Sequence, residues 1–207
     1  LSTAENALTI LSWSDILKIV LASGVVASLI GWFKDWLLKS RDRARDSKSS
    51  AIGVIAKLDL YAIQSRMNIR DYQDQAASLD PHVHYQNWPT CTYPDLEISR
   101  DELEYLAPEH SSTLAWLTTE KALASQHLYA IHDVSFDPTE VHAHKAEVVG
   151  YFGYEAYLLA LKLREKFNLP PCGQRWGISE DFLDLHSAWV QTKQEVKRRT
   201  CLQPTEC

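Results

Sequence analysis

The sequence predicts an all-α protein: an N-terminal transmembrane helix followed by an antiparallel four-helix-bundle-like body with one long Pro/aromatic connection. Three observations predict it. Ile16 to Leu38 reads ILKIVLASGVVASLIGWFKDWLL, with no charge between Lys18 and Lys34. The chain has only 7 glycines, and Gly24 and Gly31 lie in that stretch, so the rest is poor in hairpin turns. Apolar residues in the remainder return in steps of three and four, which is the helical period.

The first element is the span. A membrane helix needs about 20 mostly apolar residues, and it satisfies its own backbone polar groups. Residues 16–38 meet that length if Lys18 extends to the head groups. Trp13 before the stretch and Trp32, Phe33 and Trp36 at its far end fit interfacial aromatic belts. A secretory signal peptide fits less well, because Glu5 and Asp15 precede the stretch, no Lys or Arg does, and no A-x-A site follows. A core helix is the other reading of an apolar run. Lys34, Lys39, Arg41, Arg43, Arg45 and Lys48 flank the C-terminal side. The basic flank stays in the cytoplasm. The expectation is therefore a single-pass protein of the inner (cytoplasmic) membrane, with the N-terminus outside and the body cytoplasmic. Gly24 with Ser28, and Ala27 with Gly31, are spaced four apart. Small residues at that spacing allow two helices to approach closely, so self-association through this face is an expected partner mode.

Residues 1–15 read as a short tail, 16–38 as the span, 39–50 as a charged juxtamembrane linker, 51–199 as the helical domain and 200–207 as a tail. In the linker, Asp35 with Lys39 and Asp42 with Arg45 support continued helix, and Ser47 to Ser50 are expected to loosen it. Ala51 to Leu79 is the first body helix, with a stripe of Ile52, Ile55, Leu58, Ala62, Ile69 and Tyr72; Asp80-Pro81 ends it. Residues 81–98 hold Pro81, Pro89 and Pro94 with Tyr85, Trp88 and Tyr93, an irregular segment with aromatic groups to bury. Ser99 and Glu102 form a capping box for a short helix to about Leu106. Pro108 opens a helix to about Val134, its stripe being Leu114, Leu117, Ala124, Leu128 and Ile131. Asp137-Pro138-Thr139-Glu140 is the clearest helix start in the chain. That helix carries Val141, Val148, Val149, Phe152, Ala156, Leu159, Leu163 and Phe167 inward to about residue 168. Ser179 caps a last helix lined by Phe182, His186, Trp189, Val190 and Val196.

At Leu163-Arg164-Glu165-Lys166-Phe167-Asn168-Leu169-Pro170-Pro171, with Trp176 shortly after, the chain resembles uncharacterised bacterial and prophage-type single-pass membrane proteins. These have an N-terminal membrane helix, a Pro- and aromatic-containing middle segment and a helix ending in a similar turn. The resemblance covers most of the chain in layout. It implies a helical fold and a membrane location, and it transfers no catalytic residues.

Chemistry is weakly signalled. The chain has no P-loop, dinucleotide-binding, nucleophile-elbow or H-E-x-x-H motif. A net charge of −6 argues against nucleic acid as a partner. Cys91, Cys172, Cys201 and Cys207 lack C-x-x-C spacing and are expected as thiols in a cytoplasmic body. His142-x-His144 points to opposite helix faces. Glu140, His144 and Glu147 share one face and are the metal-ligand candidates, although di-metal bundles need matching ligands from a second helix. A solvated polar face is the competing reading. Tyr151, Tyr154 and Tyr157 are expected beneath the 81–98 segment, stacking on Tyr85, Trp88 or Tyr93. No cofactor is expected. The expected partners are the lipid bilayer, a second copy through the span and a protein of unknown identity. A non-catalytic interaction or scaffolding role fits best; the alternatives are a membrane-attached helical-bundle metal enzyme and a phage- or defence-related membrane protein acting by oligomerisation.

Overall fold

A computed structural model describes residues 25–134, 137–173 and 182–202. The described residues are all-helical. The elements are α1 (Val25–Ala77), a 3-10 turn (Tyr85–Asn87), α2 (Arg100–Glu104), α3 (Pro108–Val134), α4 (Pro138–Phe167) and α5 (Leu183–Leu202). The chain divides into two compact units between Asp46 and Ser47.

In the first unit, the described part of α1 carries its apolar side chains outward. Leu29, Ile30, Trp32, Phe33, Trp36, Leu37 and Leu38 are all exposed. Phe33 and Trp36 stack with ring centroids 6.0 Å apart. Among the described residues no helix is long and apolar enough to cross a membrane. The physical reason is length. Val25 to Leu38 rises only about 21 Å at ~1.5 Å per residue, short of a hydrocarbon core of about 30 Å. The rest of the expected span, Ile16 to Gly24, lies outside the described residues, as does the cap expected at Ser179.

The second unit is built around α4. Asp137 caps it by accepting from the Thr139 amide at 2.9 Å, with Pro138 in the first turn. Asn168 ends it in the left-handed conformation at φ 49°, its amide bonding back to Arg164 and Glu165 carbonyls. Asn tolerates that region because its short polar side chain bonds locally. Residue pairs show the neighbours running antiparallel to α4. On α1, Asp59 meets Arg164 and Ser65 lies against Gly153, with Ile69 against Gly150. On α3, Glu109 pairs with Lys166. On α5, Tyr154 meets His186 and Gly150 lies against Ala188.

The main core joins Val54, Ile55, Leu58 and Tyr61 of α1, Leu114 and Leu128 of α3, and Val148, Phe152, Ala156, Leu159 and Leu163 of α4. The expected α4 stripe is thus buried, with Phe167 half-buried at its end. Two expected core positions are not: Ile52 and Val196 are exposed. On α1 the inward face is set by Ala51, Val54, Leu58, Tyr61 and Ser65, which rotates Ile52 outward. On α5, Leu185 and Thr192 take the buried positions. Ser47 to Ser50 remain helical instead of loosening, and the Ser50 hydroxyl donates to the Glu102 carbonyl at 2.9 Å. Ser99 and Glu102 form the expected capping box.

Two glycines let α4 approach its neighbours. A Cβ at Gly150 would fall 2.7 Å from the Ala188 Cβ, and one at Gly153 would fall 2.7 Å from the Ser65 Cβ. Phe182, buried at the start of α5, takes φ 50°. A bulky residue there costs roughly 1–3 kcal/mol and persists because its surroundings hold it. Tyr157 lies over its ring at 4.9 Å.

Candidate functional site

The small-residue face expected in the span is described only in part. Ser28 is exposed, and a Cβ at Gly31 would meet nothing within 4 Å. Gly24 and the side chain of Ala27 lie outside the described residues.

The candidate ligands Glu140, His144 and Glu147 do not come together. Glu140 is exposed, whereas His144 is largely buried and places Nδ1 3.3 Å from Glu147 Oε2. Among the described residues no group of three His, Cys, Asp or Glu side chains is arranged to hold a metal ion. The three share a face, but Glu140 lies in the first turn of α4 and is exposed, while His144, one turn further on, sits beside Leu128, Val148 and Thr192, and no ligand reaches them from a second helix among the described residues.

The tyrosines divide between two partners. Tyr151 packs edge-on to Phe152 at 5.1 Å, and Phe152 meets Tyr93 of the connection at 6.2 Å. Tyr154 and Tyr157 pack instead on α5: Tyr154 lies 5.1 Å from His186 and 5.5 Å from Trp189. The expectation that the three stack under the connection is corrected for Tyr154 and Tyr157, and Tyr151 borders α3 and α5 beside Leu123, His127 and Val196, reaching Tyr93 only through Phe152. The cause is that α5 supplies aromatic rings on the same side, fixed by the Trp189 indole donating to Glu155 at 2.7 Å. Trp88 packs on Tyr72, Cys91, Ala146 and Val149 instead.

What the structure brings together is a cavity of about 410 Å³ lined by Tyr93, Ser125, Leu128, Tyr129, Val141, His142 and Lys145. The connection supplies Tyr93, α3 supplies Ser125 to Tyr129, and α4 supplies Val141 to Lys145. Roughly 300–1,000 Å³ is the usual range for a small-molecule pocket. Burial holds the Tyr93 phenol above its ordinary pKa, partly opposed by the Ser125 hydroxyl. Lys145 Nζ donates to Thr90 Oγ1 at 3.1 Å. Behind it Cys91 is buried, and burial pushes its thiol up to about 11, with Lys145 pulling the other way. Lys121 lies 6.0 Å from the Tyr93 ring centroid and 6.0 Å from that of Tyr61.

None of these residues was singled out from the sequence as a site. A signal existed. Lys121 falls between Leu117 and Ala124 on the α3 stripe, and Lys145 lies four residues after Val141 on the α4 stripe. A lysine on a core-facing stripe is unusual, because its charge must be solvated or paired.

Comparison with protein-family models, with curated proteins and with solved structures finds no match to this chain.

Proposed function

We propose that this chain is a membrane-anchored helical protein, held in the inner membrane by residues 16–38, with an antiparallel four-helix-bundle-like body acting on the cytoplasmic face as a non-catalytic interaction or scaffolding module. One observation carries the reading. Leu29, Ile30, Trp32, Phe33, Trp36, Leu37 and Leu38 are all exposed along one short stretch of the helix. A contiguous exposed apolar surface of this size calls for an apolar surround, and Trp32, Phe33 and Trp36 within it suit a bilayer interface. The preceding apolar residues 16–24 extend the same stretch to spanning length. The basic flank from Lys34 to Lys48 sets the cytoplasmic side and suits anionic inner-leaflet lipids. Gly24, Ala27, Ser28 and Gly31 are the face through which two copies associate.

Membrane fractionation of the full chain tests this. The expected result is a carbonate-resistant pellet, with the partly exposed Cys172 labelled by an impermeant maleimide only after the membrane is opened. Recovery in the soluble fraction overturns the anchor; labelling of intact cells overturns the orientation.

A further inference from the structure

The cavity between α3, α4 and the connection has a polarity that the rest of the body does not explain. Acidic residues outnumber basic ones in the chain, 27 to 21. Yet among the described residues no carboxylate lies within ion-pair distance of Lys145 or of Lys121. Both are half-buried, and both occupy stripe positions that otherwise hold core residues. Lys145 has one hydroxyl partner, Thr90, and Lys121 has the faces of two tyrosines. Elsewhere the same protein pairs its cations: Arg164 with Asp59, Lys57 with Glu102, and Arg66 and Arg70 with Asp184. A half-buried ammonium facing apolar walls is stabilised by an anion brought to it, because the low local dielectric strengthens that attraction. Leu128, Val141 and the Tyr93 ring supply the apolar walls; Ser125 and His142 add hydrogen-bonding groups.

We propose that this cavity binds a small organic carboxylate with an aromatic or short aliphatic body. The carboxylate meets the Lys145 ammonium, and the apolar body lies among Leu128, Val141 and Tyr93. Lys121, 6.0 Å from the Tyr93 ring centroid and outside the cavity lining, adds positive potential without touching the ligand. The site stands on residues 93–145 and does not depend on the anchor.

The test uses the full chain in phosphatidylcholine nanodiscs, titrated calorimetrically with 1-naphthylacetate and, separately, with 1-naphthylacetamide, which keeps the ring and lacks the charge. Empty nanodiscs correct for partitioning. Expected are saturable one-to-one binding of the acid, binding of the amide weaker by roughly tenfold or more, and a similar loss for the acid in Lys145→Met. Val141→Trp, which fills the cavity, is expected to abolish binding with the helical melt retained; if that variant unfolds, Lys145→Met alone decides. The proposal is overturned by no binding beyond empty nanodiscs, by equal binding of acid and amide, or by unchanged affinity in Lys145→Met.

Discussion

Arg164 near the end of α4 grips Asp59 of α1 with both arms of its guanidinium, while its Nε donates to the Pro170 carbonyl at 3.1 Å. The two side chains retain only 10% and 14% of their exposure. Burial works against the Arg164 charge, but the hydrogen bond and charge of Asp59 outweigh it, so its pKa stands above the ordinary value. One residue thus ties α1, α4 and the Leu-Pro-Pro turn together. Removing one partner leaves a buried charge unpaired. Asp59→Leu alone is expected to cost about 3–5 kcal/mol, and Asp59→Leu with Arg164→Met much less. Urea denaturation of the parent and the two variants measures this; equal losses for the single and the double would count against it.

Gly153 offers a test in which propensity and packing oppose each other. Gly→Ala in a helix gains about 1 kcal/mol from propensity alone. Here the new methyl would meet the Ser65 Cβ at 2.7 Å and Leu185 Cδ1 at 3.1 Å. The Ser65 Cβ is fixed to backbone and cannot swing away. Gly153→Ala is therefore expected to destabilise by about 1–3 kcal/mol, read as a lower thermal midpoint.

Glu102 gives an acid-sensitive contact. Lys57 donates to it at 2.7 Å, and Ser99 bonds it within the capping box. These hold its carboxyl below the ordinary value, against the effect of burial. A lowered folded pKa stabilises above the unfolded value of about 4.3, and that stability is lost as pH falls through the folded value. Glu102→Gln is expected to be less stable at neutral pH and to show a shallower decline below about pH 4. Parallel acid limbs for variant and parent would argue that Glu102 is not the group responsible. Ser99→Ala removes the cap and is expected to cost about 1 kcal/mol at neutral pH.

Cys91 is expected to be inert in the folded protein. It is 1% exposed, with its pKa pushed up to about 11. That upward shift lowers the thiolate population at neutral pH by roughly a hundredfold. Iodoacetamide should reach Cys91 only with denaturant present, which peptide mapping detects. Modification at the rate of a small-molecule thiol without denaturant would contradict the burial.

Much of the fold was legible because helix starts are local chemistry. Asp137-Pro138, Ser99 with Glu102, and Pro108 each solve the problem of unpaired amides within a few residues, so they read directly. The α4 stripe read correctly because nearly every position on it is large and apolar. The errors lie where a face is set by partners distant in sequence. Ile52 belongs to an apolar period, but the tertiary contacts of Val54 and Tyr61 rotate it outward. Tyr154 and Tyr157 were assigned to the nearer aromatic segment because nothing in the sequence states that α5 folds back beside α4. The metal candidates shared a helix face, and sharing a face does not bring a ligand from a second helix. The cavity escapes the sequence because three separate segments wall it, and only Lys145 in its lining and Lys121 beside Tyr93 leave a trace in the pattern.

Gly150 and Gly153 have a consequence for motion. At both places the neighbouring helix comes so near that no methyl group fits. Slide α4 by one turn in one direction, and Ala146 and Val149 arrive there; slide it the other way, and Tyr154 and Tyr157 do. Every one of these side chains collides. The two glycines therefore act as keyways: α4 cannot ratchet past α1 or α5 while the helices stay packed. Any rearrangement of the body has to part these helices or leave them alone, which places the remaining freedom in α3 and the connection, on the side where the cavity opens.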